Sequence, residues 1–239
     1  MIASSSTPLS VDAVVFDAYG TLFDVHSVEA TANRLFPGHG AALSKSWRAK
    51  QLEYTWLQSL MQSHTQRRED FAAVTAHALE YAAAALGLNL TAQARHRLLD
   101  AYLDLAPFPD AESTLSSLAP LPRLILSNGT REMLEPLAAA TGVAQHLDAI
   151  LSVEAAGIYK PSPRVYQLAV DHLQLKPKRV GFVSSNSWDA IGAKAFGFTS
   201  VWANRGRAPS DRHGPAPDAV IESLSELPAL LGKAQSVAG

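Results

Sequence analysis

Cysteine is absent from the 239-residue chain. That excludes a disulfide framework, a zinc site built on thiolates and a cysteine nucleophile. No uninterrupted apolar run approaches the ~18 residues of a membrane span. An excess of one charge is missing too. Twenty basic and 22 acidic residues leave a formal net charge of −2, which fits neither a strongly basic nucleic-acid binder nor an acidic disordered tail. Residues 1–10 (MIASSSTPLS) lack the basic start and long apolar stretch of a signal peptide, so a cytoplasmic location is expected. There is no internal repeat and no low-complexity linker, and the tail after Gln235 reads as loose. Apolar material is plentiful, at 47% of residues. A chain of this length can bury roughly 70% of its unfolded surface.

Short β-rich apolar runs alternate with helical patterns. Val11–Phe16, Arg123–Leu126, Ala149–Val153, Arg179–Val183, Thr199–Trp202 and Ala219–Ile221 read as strands. Helices are expected near 110–119, 131–140, 162–173, 188–196 and 223–233. This alternation predicts an α/β fold, a Rossmann-like parallel sheet with helices on both faces. Ligands bind such sheets beyond the carboxyl ends of the strands, where Asp17, Ser127-Asn128 and Ser184-Ser185-Asn186 fall. Residues 25–104 break the alternation. They contain no good strand and read as helices near 27–35, 40–62, 68–87 and 91–104, an all-helical subdomain inserted into a core made of 1–24 and 105–239. Helix 40–62 carries two apolar stripes: Leu43, Trp47, Tyr54, Leu57 and Met61, then Leu52, Trp56 and Leu60. A helix apolar on two faces is buried on two sides, one of them facing the cleft or a second subunit, to which Trp47 and Trp56 could contribute.

Several residue types at the strand ends can carry chemistry. Asp17 could be a nucleophile, a metal ligand or a helix cap; as a nucleophile it would divide one hard step into two. A lysine such as Lys160 near a buried carboxylate keeps it ionised. Taken singly, Lys160 also reads as a surface lysine and Asp189 as a first-turn helix acid. Arg48 likewise reads as a snorkelling arginine paired with Glu53, or as an anion-binding cation beside Leu52. Ser127 and Asn128 could converge on an anion or form a simple strand-to-helix turn. The eight histidines are scattered, and His26 reads as structural. Four strand ends bearing Asp, Ser-Asn, Lys-Pro and Ser-Ser-Asn…Asp in that order are more telling than any one of them.

The motifs DAYGT (Asp17–Thr21), SNG (Ser127–Gly129), YKP (Tyr159–Pro161) and VSSNSWD (Val183–Asp189) resemble the haloacid dehalogenase superfamily along essentially the whole chain. The inserted helices match that family's cap. Phosphatases of the superfamily carry DxDxT, with the second acid as proton donor; here that position is Tyr19, and the fourth motif offers Asp189 without further acids for magnesium. FDAYGTLFDVHSV, WRAKQLEYTWLQSLM, AYLDLAPF, ILSNG, YKPSPRVYQLA and FVSSNSWDA are similar, nearly word for word, to type II (S)-2-haloacid dehalogenases.

That resemblance implies attack by Asp17 on the halogen-bearing carbon, departure of halide toward Arg48, and inversion of configuration. Water then attacks the carbonyl carbon of the Asp17 ester. No cofactor and no metal are implied. The resemblance casts Asp189 as orienting or activating the water with Asn186 and Ser185, and Lys160 as holding Asp17. Thr21 and Ser184 would bond this cluster, as would Tyr166, which is also counted on the substrate side. Ser127 and Asn128 would receive the substrate carboxylate, and Tyr19, Leu52, Phe71 and Trp188 would wall a small apolar pocket. The segment Gln62–Asp70 looks longer than the family's loop, and Ala49 stands where some members carry glutamine, which could remove a polar contact near the halide. The expected partners are a small 2-haloacid, halide and a second copy of the chain joined through helix 40–62, with no nucleic acid and no membrane. Two rival readings are a magnesium-dependent small-molecule phosphatase and a non-catalytic binding protein on the same fold.

Overall fold

The computed structural model describes residues 8–61 and 68–232. The expectation about the loop register in 62–71 therefore falls largely outside the described residues, as does the tail after Gln235. The chain runs β1 (Ala13–Phe16), α1 (Glu29–Leu35), α2 (Gly40–Leu60), α3 (Phe71–Ala85), α4 (Ala92–Leu103), α5 (Ala111–Ser117), β2 (Arg123–Ser127), α6 (Arg131–Ala140) and β3 (Ala149–Ser152). It continues with α7 (Pro163–Leu173), β4 (Val180–Ser184), α8 (Ser187–Phe196), β5 (Thr199–Ala203), β6 (Ala219–Ile221) and α9 (Leu227–Leu230). All strand pairs are parallel, in the order β3-β2-β1-β4-β5-β6. β1 and β4 are buried at every residue, because strands covered on both faces need continuous apolar runs.

The order reverses at β1. Crossovers between parallel strands are right-handed, so the helices leading toward β2 and β3 lie on one face and α7 and α8 on the other. This makes the β1/β4 boundary the topological switch point, where a crevice opens beyond the strand ends. Asp17 leaves β1 there, beside Ser184 at the end of β4.

The insertion α1–α4 is pinned to the core at its two stems. Asp24 donates its N–H to Ala106 O and Phe108 donates to Leu22 O, both at 2.8 Å. The long helix α2 departs from the expected pattern. Its buried stripe is Leu43, Ser44, Trp47, Gln51 and Thr55, which follows the i, i+4 rule and includes polar residues. Trp47 is buried and donates Nε1–H to Thr75 O at 2.7 Å. Trp56 packs edge-on against Trp188, with centroids 5.4 Å apart. Trp47 is thus buried within the chain, whereas Trp56 is half-buried. Tyr54, Leu57 and Met61 lie off the buried stripe, and Leu57 and Met61 are exposed. His26 bonds Ser44 Oγ at 2.9 Å, a structural tie as expected. The helix expected at 223–233 is instead a 3₁₀ turn, Leu224–Glu226, leading into the four-residue α9. Pro228 carries no N–H to continue an earlier helix, so it sits in the first turn of a new one.

Asp110 ties the β6 end of the sheet to the turn that follows β1. Its carboxylate accepts two bonds from Arg205 at 2.8 Å, one from Ser223 Oγ and one from the Leu224 N–H. Arg205 also donates to Thr21 O at 3.2 Å. Burial works to raise the Asp110 carboxyl pKa, but Arg205, Ser223 and the Leu224 N–H outweigh it and hold it below the ordinary 3.8. Stability from this group is therefore fully present above pH ~4 and is lost as pH falls below that value toward the lowered folded pKa. Asp110→Ala is expected to cost about 2–3 kcal/mol at pH 7 by stranding Arg205. Urea titrations at pH 7 and pH 3 should show a larger difference from the wild type at the first than at the second.

Candidate active site

The Asp17 backbone N–H donates to Val183 O at 2.9 Å, extending the β1–β4 ladder by one residue. The chain then turns sharply. The N–H groups of Thr21, Leu22 and Phe23 all reach Ala18 O, and Gly20 takes a φ of +90°, open to glycine at little cost. This turn brings Thr21 back over Asp17. Asp17 Oδ2 accepts from Asn186 Nδ2 (2.8 Å), Thr21 Oγ1 (3.1 Å) and Ser184 Oγ (3.3 Å). Oδ1 accepts from Lys160 Nζ at 3.1 Å. The Ser185 N–H fixes Thr21 Oγ1 at 2.8 Å, and the Asn186 N–H fixes Ser184 Oγ at 3.1 Å.

Lys160 lies in the segment between β3 and α7. Its N–H donates to Asn128 Oδ1 at 3.0 Å, which ties the end of β2 to this segment. Its ammonium also reaches Asp189 Oδ2 at 2.8 Å, and Tyr166 donates to Asp189 Oδ1 at 2.8 Å. Lys160 and Asp189 are completely out of water. Burial disfavours the ammonium, yet Asp17 and Asp189 outweigh it and raise the Lys160 pKa. Burial pushes the Asp189 carboxyl up to about 6 against the pull of Lys160, with Asp17 adding to the rise.

Above Asp17 is an enclosed space of about 10 Å³, roughly the room one water needs. Asp17, Tyr19, Arg48, Leu52, Phe71, Ser127, Asn128, Asn186 and Trp188 line it. All nine were singled out from the sequence. Arg48 crosses from α2 to reach Tyr19 O (3.2 Å) and Asn186 Oδ1 (3.4 Å); Glu53 pairs with Lys50 instead. Tyr19 stacks on Phe71 at 5.4 Å, and its buried hydroxyl has no hydrogen-bond partner among the described residues. A Cβ at Gly129 would lie 2.8 Å from Tyr19 Cε2, so the glycine of the SNG motif makes room for that ring. Thr21, Lys160, Ser184 and Asp189 stand behind the lining. So do Tyr166, which bonds Asp189, and Ser185, whose N–H holds Thr21. Neither of these last two is among the lining residues. Ala49 is exposed and not part of the lining.

A family model described as haloacid dehalogenase-like hydrolase matches residues 11–197. The chain belongs to that family. Among curated relatives, the (S)-2-haloacid dehalogenase of Pseudomonas sp. (strain YL) is 43% identical over 216 residues, 90% of this chain and 91% of the relative. The crystal structure of the Xanthobacter autotrophicus L-2-haloacid dehalogenase with chloropropionic acid covalently bound matches with a TM-score of 0.84 at 40% identity, covering 93% of this chain and 98% of that one. A dehalogenase described as an intermediate complex matches with a TM-score of 0.88 at 42% identity, covering 94% and 99%. Within the haloacid dehalogenase-like hydrolases, the chain therefore groups with the (S)-2-haloacid dehalogenases.

For this family member the sequence reading missed the residues that hold Arg48. Gln51 Oε1 accepts from Arg48 Nη1 at 2.8 Å and from Tyr102 OH at 3.1 Å, while its Nε2 donates to Thr75 Oγ1 at 2.6 Å. A fully buried glutamine must satisfy its amide. A glutamine three residues after a candidate anion-binding arginine, on a helix with apolar faces, was the available signal.

The acid limb of the pH–rate profile is expected near pH 6, where the buried Asp189 carboxyl takes up a proton. Tyr166→Phe removes a donor that favours the Asp189 carboxylate, so it should move that limb to higher pH, by about one unit. A profile unmoved by the substitution would contradict a role for Asp189 in this titration.

Proposed function

We propose that the protein hydrolyses (S)-2-haloalkanoic acids to (R)-2-hydroxyalkanoic acids and halide, without a metal. An Asp17 carboxylate oxygen attacks C2, a C–O bond forms, and the halide leaves with the C–X electron pair toward Arg48. Oδ1 suits the attack, since three donors already occupy Oδ2. Water next adds to the carbonyl carbon of the Asp17 ester, and collapse of the adduct breaks the bond from that carbon to the ester oxygen. The departing oxygen takes one of the water's protons to become the hydroxyl of the 2-hydroxy acid, the other proton is lost to solvent, and the Asp17 carboxylate is regenerated. The first proton lost by that water goes to the Lys160–Asp189 pair, where burial pushes the Asp189 carboxyl up to about 6, and is passed from there to the departing oxygen. Ser127 and Asn128 Nδ2 receive the substrate carboxylate, and Leu52, Phe71, Tyr19 and Trp188 surround its alkyl group.

The observation that carries this reading is the set of groups facing Asp17. Every bond it accepts comes from a donor, and the ammonium between the two carboxylates already supplies the positive charge there. At the second position beyond Asp17 stands Tyr19 rather than a carboxylic acid, and a departing halide needs no proton. The wild type is expected to release chloride from (S)-2-chloropropionate in EDTA, and Asp17→Asn to release at least about 10³-fold less. One turnover in ¹⁸O-water should leave label on the peptide containing Asp17. Chelator-sensitive turnover of phosphate esters, with no halide release, would instead establish the phosphatase reading.

Two further assignments belong with this function. Residues 25–104 act as a cap that brings Arg48 over a core made of 1–24 and 105–239. The chain also forms a homodimer through the outer face of α2. Leu57 and Met61, one turn apart, are 40% and 64% exposed, and Tyr81 of α3 beside them is 46% exposed. Tyr54 and Lys50 pack against Tyr81 on the same face. Sedimentation should give twice the 25.5 kDa chain mass, and Leu57→Glu with Met61→Glu should shift it to the monomer. A monomeric wild type would rule this face out as an interface.

A further inference from the structure

A second cavity, of about 690 Å³, adjoins the catalytic space. That volume is in the range of small-molecule pockets. Trp56 and Leu60 of α2, Ile158, Pro161 and Trp188 give it apolar walls. Several of its polar groups are already engaged, while His213, also on its lining, is exposed to solvent. Ser59 Oγ donates to Thr55 O and accepts from the Tyr159 N–H, Asp211 holds Ser187 Oγ, and the Lys160 ammonium is held between two carboxylates. Such a cavity suits a hydrocarbon rather than a charged head group.

Trp188 lines both spaces. Its ring rests edge-on against Trp56, and its Nε1 makes no hydrogen bond among the described residues. The partition between the two volumes is thus an indole that can shift without breaking one. The catalytic space cannot enclose a chain of several carbons beside the reacting atoms. At C2, three directions are already assigned: attack by Asp17, halide toward Arg48, and carboxylate toward Ser127 and Asn128. The alkyl substituent is left facing Leu52, Phe71 and Trp188.

We propose that the larger cavity receives the alkyl chain of the substrate past Trp188, so that the substrate class extends to medium-chain 2-halo fatty acids. This rests on the dehalogenase reading above. Each buried methylene is worth about fourfold in binding, so a filled cavity should discriminate against long chains and spare short ones.

The test compares kcat/KM for halide release from (S)-2-bromopropionate and (S)-2-bromooctanoate. The variants are Ser162→Phe and Ile158→Trp. Ser162 caps α7 without a side-chain hydrogen bond, so its replacement breaks none. The wild type should turn over both acids. Each variant should keep the propionate value within about twofold, which also certifies its fold, and lose at least tenfold on the octanoate. Plain octanoate should inhibit 2-bromopropionate turnover more tightly than propionate does in the wild type, and this preference should vanish in the variants. A wild type active on the short acid alone, or variants that leave the octanoate value unchanged, would overturn the inference. A wild type inactive on 2-bromopropionate would overturn the dehalogenase reading and this inference with it.

Discussion

Lys160 Nζ lies 3.1 Å from Asp17 Oδ1 and 2.8 Å from Asp189 Oδ2, and all three side chains are almost wholly withdrawn from water. Removing three charges from water costs several kcal/mol for each ion, and one ammonium between two carboxylates leaves a net negative charge to be met. The surrounding donors meet it. Thr21, Ser184 and Asn186 converge on Asp17 Oδ2, and Tyr166 closes on Asp189 Oδ1. A buried network of this kind holds only if every member is satisfied. That requirement explains why four separate chain segments must arrive together, and why the sheet order places β2, β1 and β4 side by side. The Lys160 N–H bond to Asn128 then fixes the remaining segment to the same edge.

The guanidinium of Arg48 belongs to the insertion, yet its partners Tyr19 O and Asn186 Oδ1 belong to the sheet edge. Arginine suits this span because its planar fork can bond both sides at once. Gln51 holds the other arm from within α2, and it is held in turn by Thr75 and Tyr102. The halide cradle proposed here therefore exists only while the helices sit over the sheet. The pinned stems at 22–24 and 106–108 set where that happens.

The strand–helix alternation was legible because each strand is a short apolar run ending in polar residues, and the observed elements fall within a few residues of those runs. That nine of the expected residues line one small space above Asp17 was legible too, since the motif resemblance supplied positions that spacing alone left ambiguous. Arg48 is the clearest case, because composition gave no reason to prefer Tyr19 and Asn186 over Glu53 as its partners. What escaped was the interior of the inserted helices. Apolar counting put Tyr54, Leu57 and Met61 on the buried stripe, whereas Gln51 and Thr55 occupy it. Polar residues can be buried wherever they satisfy one another, and one-dimensional patterning does not register such pairs. Tyr166 and Ser185 were legible as site residues, but which side of Lys160 they occupy depends on how α7 and α8 pack.

Tyr19 shows how one position can redirect the chemistry of the fold. A carboxylic acid there could protonate a departing alkoxide; a buried phenol cannot do so readily, because burial pushes its pKa well above the ordinary value. Its backbone carbonyl accepts from Arg48 and from Asn186 Nδ2, both at 3.2 Å. Its ring occupies the space that the missing side chain of Gly129 leaves open. The position thus gives up a proton donor and gains an apolar wall and an anchor for the arginine. A leaving group that departs as a stable anion requires no proton, and it gains from a cation held in a small, dry space. The substitution at Tyr19 and the presence of Arg48 are therefore two halves of one adaptation, and neither would suit the proposed reaction without the other.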